Sequence, residues 1–85
     1  MDDAYGALAE PRRREILRFL AAGEQTAGAI ASRFPDVSRS AISQHVRVLA
    51  RAGLVAERRF GTKRLYRARR ERLDALREEL DDLGR

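Results

Sequence analysis

A chain of 85 residues without one cysteine cannot build a disulfide framework or a thiolate metal centre, a usage that a reduced cytoplasm permits. Histidine is nearly absent too. A transition-metal site needs convergent thiolates or imidazoles, and the only imidazole is His45. Nucleophilic catalysis fares no better, because on a helix His45 follows Ser43 by two positions, and residues i and i+2 do not face each other. No catalytic residue, metal ligand or cofactor is therefore expected, and the chain reads as a non-enzyme. No apolar run is long enough for a membrane span or a signal-peptide core, so the expected setting is soluble and cytoplasmic, with no membrane partner. Repeats, low-complexity tracts and linkers are missing as well. Residues 1–85 read as one small domain with little capacity to bury a core, which a partner's surface would help.

Lysine is scarce, since 17 of the 18 basic residues are Arg, a side chain suited to bidentate contacts with phosphate or guanine. Arg richness beside abundant Ala is also what a biased genomic base composition produces. The distribution of charge says more than the count. Residues 1–38 carry 5 basic and 6 acidic side chains, residues 39–72 carry 11 and 2, and residues 73–85 carry 2 and 5. The middle segment thus holds a net +9 of a total of +5, with the flanks at −1 and −3. Such a segment releases counterions when it meets DNA.

That segment opens with SRSAISQHVRVLARAGLV, Ser38 to Val55. Ser38 suits an N-cap and Gly53 a left-handed stop, which predicts a helix between them. At 3.6 residues per turn Ile42, Val46 and Leu49 share a core-facing side, flanked by Ala41 and Ala52. The opposite side holds Arg39, Ser40, Ser43, Gln44, Arg47 and Arg51, with no Asp or Glu. Gln pairs with adenine, Arg with guanine or phosphate, and Ser with base edges or backbone, so this face suits the major groove. His45 lies beside the apolar side, where a structural role fits better than base readout.

Upstream, Thr26 to Phe34 reads as a short helix with Ile30 and Phe34 on one side, closed by Pro35. Downstream, Leu54 to Phe60 and Arg64 to Ala68 are strand-like runs joined by Gly61, Thr62 and Lys63. Helix, turn, helix and then hairpin is a winged arrangement, and the hairpin carries Arg58, Arg59, Lys63, Arg64, Arg67 and Arg69 toward phosphates or a minor groove. Three more helices frame it. Pro11 can start one that buries Ile16, Leu17 and Leu20 and stops at Gly23, preceded by a short helix over Asp2 to Ala9 with Ala4, Tyr5 and Leu8 on one side. At the far end Arg70 to Leu83 carries a stripe of Leu73, Leu76, Leu80 and Leu83. Such a stripe either faces the domain's own core or forms a subunit seam, and with the N-terminal helix it suggests a homodimer. Twofold symmetry would set two such helices roughly 34 Å apart, in successive major grooves.

The fold class is therefore mainly α with a small β-hairpin wing, a winged helix-turn-helix. Three segments, LAEPRRREIL at Leu8 to Leu17, SRSAISQHVRVLARAGLV at Ser38 to Val55 and RRFGTKRLYRA at Arg58 to Ala68, make the chain resemble the ArsR family of bacterial repressors. The resemblance implies a homodimer that represses transcription by occupying an operator in double-stranded DNA. By matching positions it implies that Arg39, Ser40, Ser43 and Gln44 face bases, that Arg47 meets phosphate, and that Lys63 and Arg64 are the wing contacts. Metal-sensing members carry Cys on the first helix of the motif or an Asp/His set on the terminal helix, and neither is present. Glu78, Glu79, Asp81 and Asp82 could hold a hard cation but read as a solvated acidic end. The chain is thus similar to the cysteine-free, non-metal-sensing branch. The competing reading is a protein-interaction module whose basic surface binds nucleic acid nonspecifically.

Overall fold

Punctuation residues set most of the boundaries in the computed structural model, which describes residues 4–84. Pro11 occupies the first turn of helix α2 (Pro11–Ala22), where its missing N–H costs nothing, and the Glu10 carboxylate accepts the Arg13 amide at 2.9 Å. Thr26 Oγ1 accepts the Ala29 amide at 3.1 Å to open α3 (Ala27–Arg33), and Ser38 Oγ accepts the Ala41 amide at 3.1 Å to open α4 (Arg39–Arg51). The end of α4 is a Schellman closure: Gly53 has φ +78°, its N–H reaches the Ala50 carbonyl, and the Leu54 N–H reaches the Leu49 carbonyl, both at 3.0 Å. Leu49 and Leu54, both fully buried, supply the apolar contact of that motif. Gly23 ends α2 differently, with an extended φ of 168° that any residue can adopt.

Helix α1 (Ala4–Leu8) has five residues, too few to persist alone. It persists because its terminal carbonyls are answered by arginines of α2, where Arg13 Nε donates to Ala7 O and Arg14 Nη1 to Leu8 O, each at 2.7 Å. Ala4 and Ala7 are its buried residues, while Tyr5 stands exposed and donates its hydroxyl to Glu79 Oε2 at 2.6 Å. Asp2 and Asp3, part of the helix expected from sequence, lie outside the described residues.

The sheet has three antiparallel strands, not two. Strand β1 (Gln25–Thr26) pairs with β3 (Lys63–Ala68), which pairs in turn with β2 (Val55–Phe60), giving the order β1-β3-β2. Lys63, expected in the turn, belongs to β3 and pairs with Phe60, so only Gly61 and Thr62 turn the chain. Gly61 has φ +63° and among the described residues no non-glycine residue has positive φ, the pattern of a type II′ hairpin.

One apolar cluster holds these elements together. Ile16, Leu17 and Leu20 of α2, Ile30 of α3, Ile42, Val46 and Leu49 of α4, and Leu54, Val55 and Ala68 around the sheet are all buried in it. Phe34 joins edge-on to Phe19 with ring centroids 6.2 Å apart, and the Arg12 and Arg33 guanidinium groups lie 5.4 and 5.2 Å from its ring centroid.

Helix α5 (Arg70–Leu83) splits the expected leucine stripe. Leu76 is 3% exposed within the single chain and belongs to its core, and Leu73 packs partly against it. Leu80 and Leu83 are 54% and 80% exposed. The N-terminal half of α5 is therefore anchored and the C-terminal half presents leucines to whatever lies beside it. In urea melts of dilute protein, Leu76→Ala should lower the unfolding free energy by about 2–5 kcal/mol. Leu83→Ala should stay within about 0.5 kcal/mol of the parent. Equal losses would contradict the split.

Candidate nucleic-acid interface

Because α4 buries Ile42, Val46 and Leu49, its outward residues are fixed in turn. Arg39, Ser40, Ser43, Gln44, Arg47 and Arg51 are all exposed along one side of the helix. No acidic side chain stands in the first turn, so the positive end of the helix dipole is uncompensated beside Arg39. Arg47 Nη1 donates to Gln44 Oε1 at 3.3 Å, a one-turn pair that holds both polar heads over the same stretch of surface. Among the described residues Arg39, Arg47 and Arg51 make no ion pair with a carboxylate.

The wing completes a groove with this helix. Arg39, Ser43 and Arg47 line one wall, Glu57, Arg64 and Tyr66 the other, and Ala31, Ile42 and Val46 contribute to an apolar floor, enclosing about 280 Å³. Arg64 Nη1 lies 3.3 Å from Glu57 Oε2 across the strands. Four of the sequence-predicted residues, Arg39, Ser43, Arg47 and Arg64, are thus brought together, and Ser40 and Gln44 stay exposed on α4 outside the groove. Lys63 is not with them. Strand alternation puts Arg64, Tyr66 and Ala68 on the α4 side and Lys63, Leu65 and Arg67 on the other.

The same parity adds Arg59, which sits directly opposite Arg64 in the β2–β3 ladder and shares its face. Two cations facing each other across strands repel, a cost that a bound anion would relieve. The sequence names Arg59 among the wing arginines without assigning its face; counting back by twos from a two-residue turn gives that face, which counting Lys63 into the turn obscures.

Other arginines of the basic segment are occupied internally. Arg58 grips Glu24 with two bonds of 2.7 and 2.8 Å, which fastens β2 to the segment after α2, and Arg69 Nε donates to Glu71 at 3.1 Å. Arg70 donates to the Ala21 carbonyl at the end of α2, and Arg12 pairs with Asp36 in the turn between α3 and α4. His45 packs against the start of α2, its buried Nδ1 without a hydrogen bond and 4.0 Å from Glu10 Oε2, which agrees with a structural role. Desolvation opposes ionisation of Glu10, but the amides of Arg13 and Arg12 and the charges of His45 and Arg13 together hold its pKa below the usual carboxylate value. Among the described residues, the acids of α5 included, no three of His, Cys, Asp and Glu gather as a metal site would require.

A helix-turn-helix with a hairpin beside its second helix, and cations on the face the two share, defines a winged helix-turn-helix domain of the DNA-binding type. Comparison with known proteins agrees. A family model described as a helix-turn-helix domain matches residues 8–58. The chain is 46% identical over 80 residues to the HTH-type transcriptional regulator Rv2034 of Mycobacterium tuberculosis, covering 94% of this chain and 74% of that protein. It is 38% identical over 61 residues to the transcriptional repressor SdpR of Bacillus subtilis, covering 72% and 67%. A solution structure of a homodimeric winged helix-turn-helix DNA-binding domain from Mycobacterium bovis, a possible ArsR-family regulator, superposes with TM-score 0.76 at 38% identity, covering 93% of this chain and 75% of that one. The chain belongs to the ArsR family of winged helix-turn-helix transcriptional regulators. It contains no cysteine, and among the described residues no helix is long and apolar enough to cross a membrane.

The bonds from Arg58 hold the Glu24 pKa below its usual value of 4.5 despite some desolvation, with the charges of Arg58 and Arg67 assisting. A depressed folded pKa stabilises above the unfolded pKa, and that contribution is lost as pH falls through the folded value. Glu24→Gln should therefore be less stable than the parent near neutral pH, and the difference should shrink as pH is lowered to about 3. Paired urea melts check this; a difference that stays constant across that range would remove the ionic account of the wing anchor.

Proposed function

We propose that this protein is a homodimeric repressor that occupies a specific site in double-stranded DNA. The observation that carries this reading is the acid-free outer face of α4 standing across one groove from Arg64 of the wing. In it, Arg39, Ser40, Ser43 and Gln44 read base edges in the major groove, Arg47 and Arg64 hold phosphates on either side of the groove, and Lys63 reaches backbone from the outer face of the wing. Repression follows from occupancy, which blocks other proteins from the same DNA, and SdpR carries that description among the relatives. No catalytic step is part of this reading, and its place of work is the cytoplasm, where the genome is.

Homodimerisation is supported by the exposed Leu80 and Leu83, by Tyr5 beside them on the same side of the domain, and by the homodimeric relative of M. bovis. A second copy covers those leucines best, because a twofold axis through the terminal helices turns one recognition helix into two. The domain is then residues 1–85 with its terminal helices as the seam.

Selection of duplexes from a random-sequence pool tests the reading directly. The parent should enrich inverted half-sites whose centres are about 10 base pairs apart. Gln44→Ala should lose about 1–3 kcal/mol of discrimination at one base pair in each half-site while binding scrambled duplex unchanged. A pool that never enriches would leave only nonspecific binding, the behaviour of an interaction module with an incidental basic patch.

Assembly has its own test. Leu80→Asp places a carboxylate where the seam needs an apolar contact, yet Leu80 is outside the core of the single chain, so the fold should survive. Sedimentation at micromolar concentration should show a dimeric parent and a folded, monomeric variant. A monomeric parent, or a variant that stays dimeric, would move the interface away from α5.

A further inference from the structure

Phe60 is 65% exposed at the tip of the wing, and the core cluster neither includes it nor leans on it. It forms the last pair of the β2–β3 ladder with Lys63, directly before the Gly61–Thr62 turn, so its ring stands at the outermost rung of the hairpin. The Arg58 guanidinium lies 5.6 Å from the ring centroid. Arg59 and Arg64 form the next rung inward. An aromatic ring is therefore held out at the tip of a two-stranded finger, with cations on both strands around it.

We propose that Phe60 is an apolar wedge that enters the minor groove of the DNA flanking each half-site and partly unstacks a flexible base step. The inference rests on the DNA-binding reading above and adds a mode of contact to it. Two observations select DNA as the occupant. Arg58 and Lys63 share the ring's face, Arg59 and Arg64 lie on the opposite face of the next rung, and of these four only Arg58 and Arg64 are offset among the described residues, by Glu24 and Glu57, so the tip keeps a net positive charge that is attracted to a polyanion and repelled by a basic protein surface. The tip is also narrow, turning through Gly61 and Thr62 alone, and the minor groove at about 6 Å wide suits a hairpin end better than a helix. Strand parity sets the direction. Phe60 shares its face with Arg58 and Lys63, away from α4, so the ring points outward from the half-site that α4 reads.

A wedge of this kind produces affinity that salt does not screen, and it favours sites flanked by steps that unstack easily, such as TA or CA. Sequence preference then extends beyond the bases that α4 touches.

The experiment uses the full chain and the duplex recovered from the random pool, with 2-aminopurine walked through the base steps flanking each half-site. Binding of the parent should raise 2-aminopurine fluorescence at one flanking step, and changing that step from TA to AA should weaken binding several-fold. Phe60→Ala should lose the fluorescence rise and bind about tenfold more weakly, with the slope of log K against log salt unchanged. Phe60→Leu should keep most of both signals. Arg64→Ala is the contrasting variant, lowering the slope by about 1 while the fluorescence rise persists. Because the ring is exposed, thermal melting of Phe60→Ala should match the parent, which separates loss of the wedge from loss of the fold. A parent that binds its duplex with no fluorescence rise at any flanking step overturns the wedge and leaves the DNA reading intact, as does a Phe60→Ala variant equal to the parent in affinity and fluorescence. A parent that binds no duplex selectively overturns both.

Discussion

Burial of Ile42, Val46 and Leu49 fixes the rotation of α4 about its own axis, and the identity of every outward-facing residue on that helix follows from it. Each of these side chains contributes about 1.5–3 kcal/mol when removed from water. A slip by one residue, about 100° of rotation, would turn Ser43 and Arg47 into the core, and burying one unpaired guanidinium costs several kcal/mol. The register is therefore strongly specified. The Schellman closure at Gly53 adds a second lock, because Leu54 fits its buried position only if α4 stops where it does. From there the chain enters β2 with the parity that brings Arg64 opposite Arg59, on the side of the sheet that faces α4.

Arginine does two different jobs in this small domain, and geometry separates them. Arg12, Arg58 and Arg70 bridge elements far apart in sequence, and Arg13 and Arg14 tie α2 to the neighbouring α1, by satisfying carboxylates or helix-end carbonyls. They act as ties in a chain with little core to spend on cohesion. Among the described residues Arg39, Arg47 and Arg51 have no such carboxylate, and Arg59 and Arg64 face each other with Glu57 paired to Arg64. The positive charge left over is concentrated on α4 and the inner face of the wing.

Local chemistry made much of this legible in the sequence. Gly53, Pro11 and Pro35 act through their own backbone geometry and Ser38 through a hydroxyl that caps its own helix, so the helices they bound were readable, and so was the polar face of α4. What escaped was non-local. The pairing of Arg58 with Glu24 spans 34 positions and that of Arg12 with Asp36 spans 24, and no periodicity announces either. Strand β1 has two residues and no alternation to detect, and its place is set only by β3 beside it. The leucines of α5 looked equivalent because helical spacing gives a face without saying where the neighbouring layer ends. The layer ends after Leu76. A one-residue difference in turn length moved Lys63 to the outer face and left the inner-face position of Arg59, already named on the wing, unassigned, since in a strand parity decides the side.

The central claim is that α4 lies in the major groove with the wing beside it, presented twice by a dimer. Hydroxyl-radical footprinting of the parent on its selected duplex tests that geometry most directly. The account requires two protected backbone segments about one helical turn apart, each with a further protected stretch on its outer side where the wing meets the flanking DNA. Protection of a single segment, or weak protection spread evenly along the duplex, would contradict it.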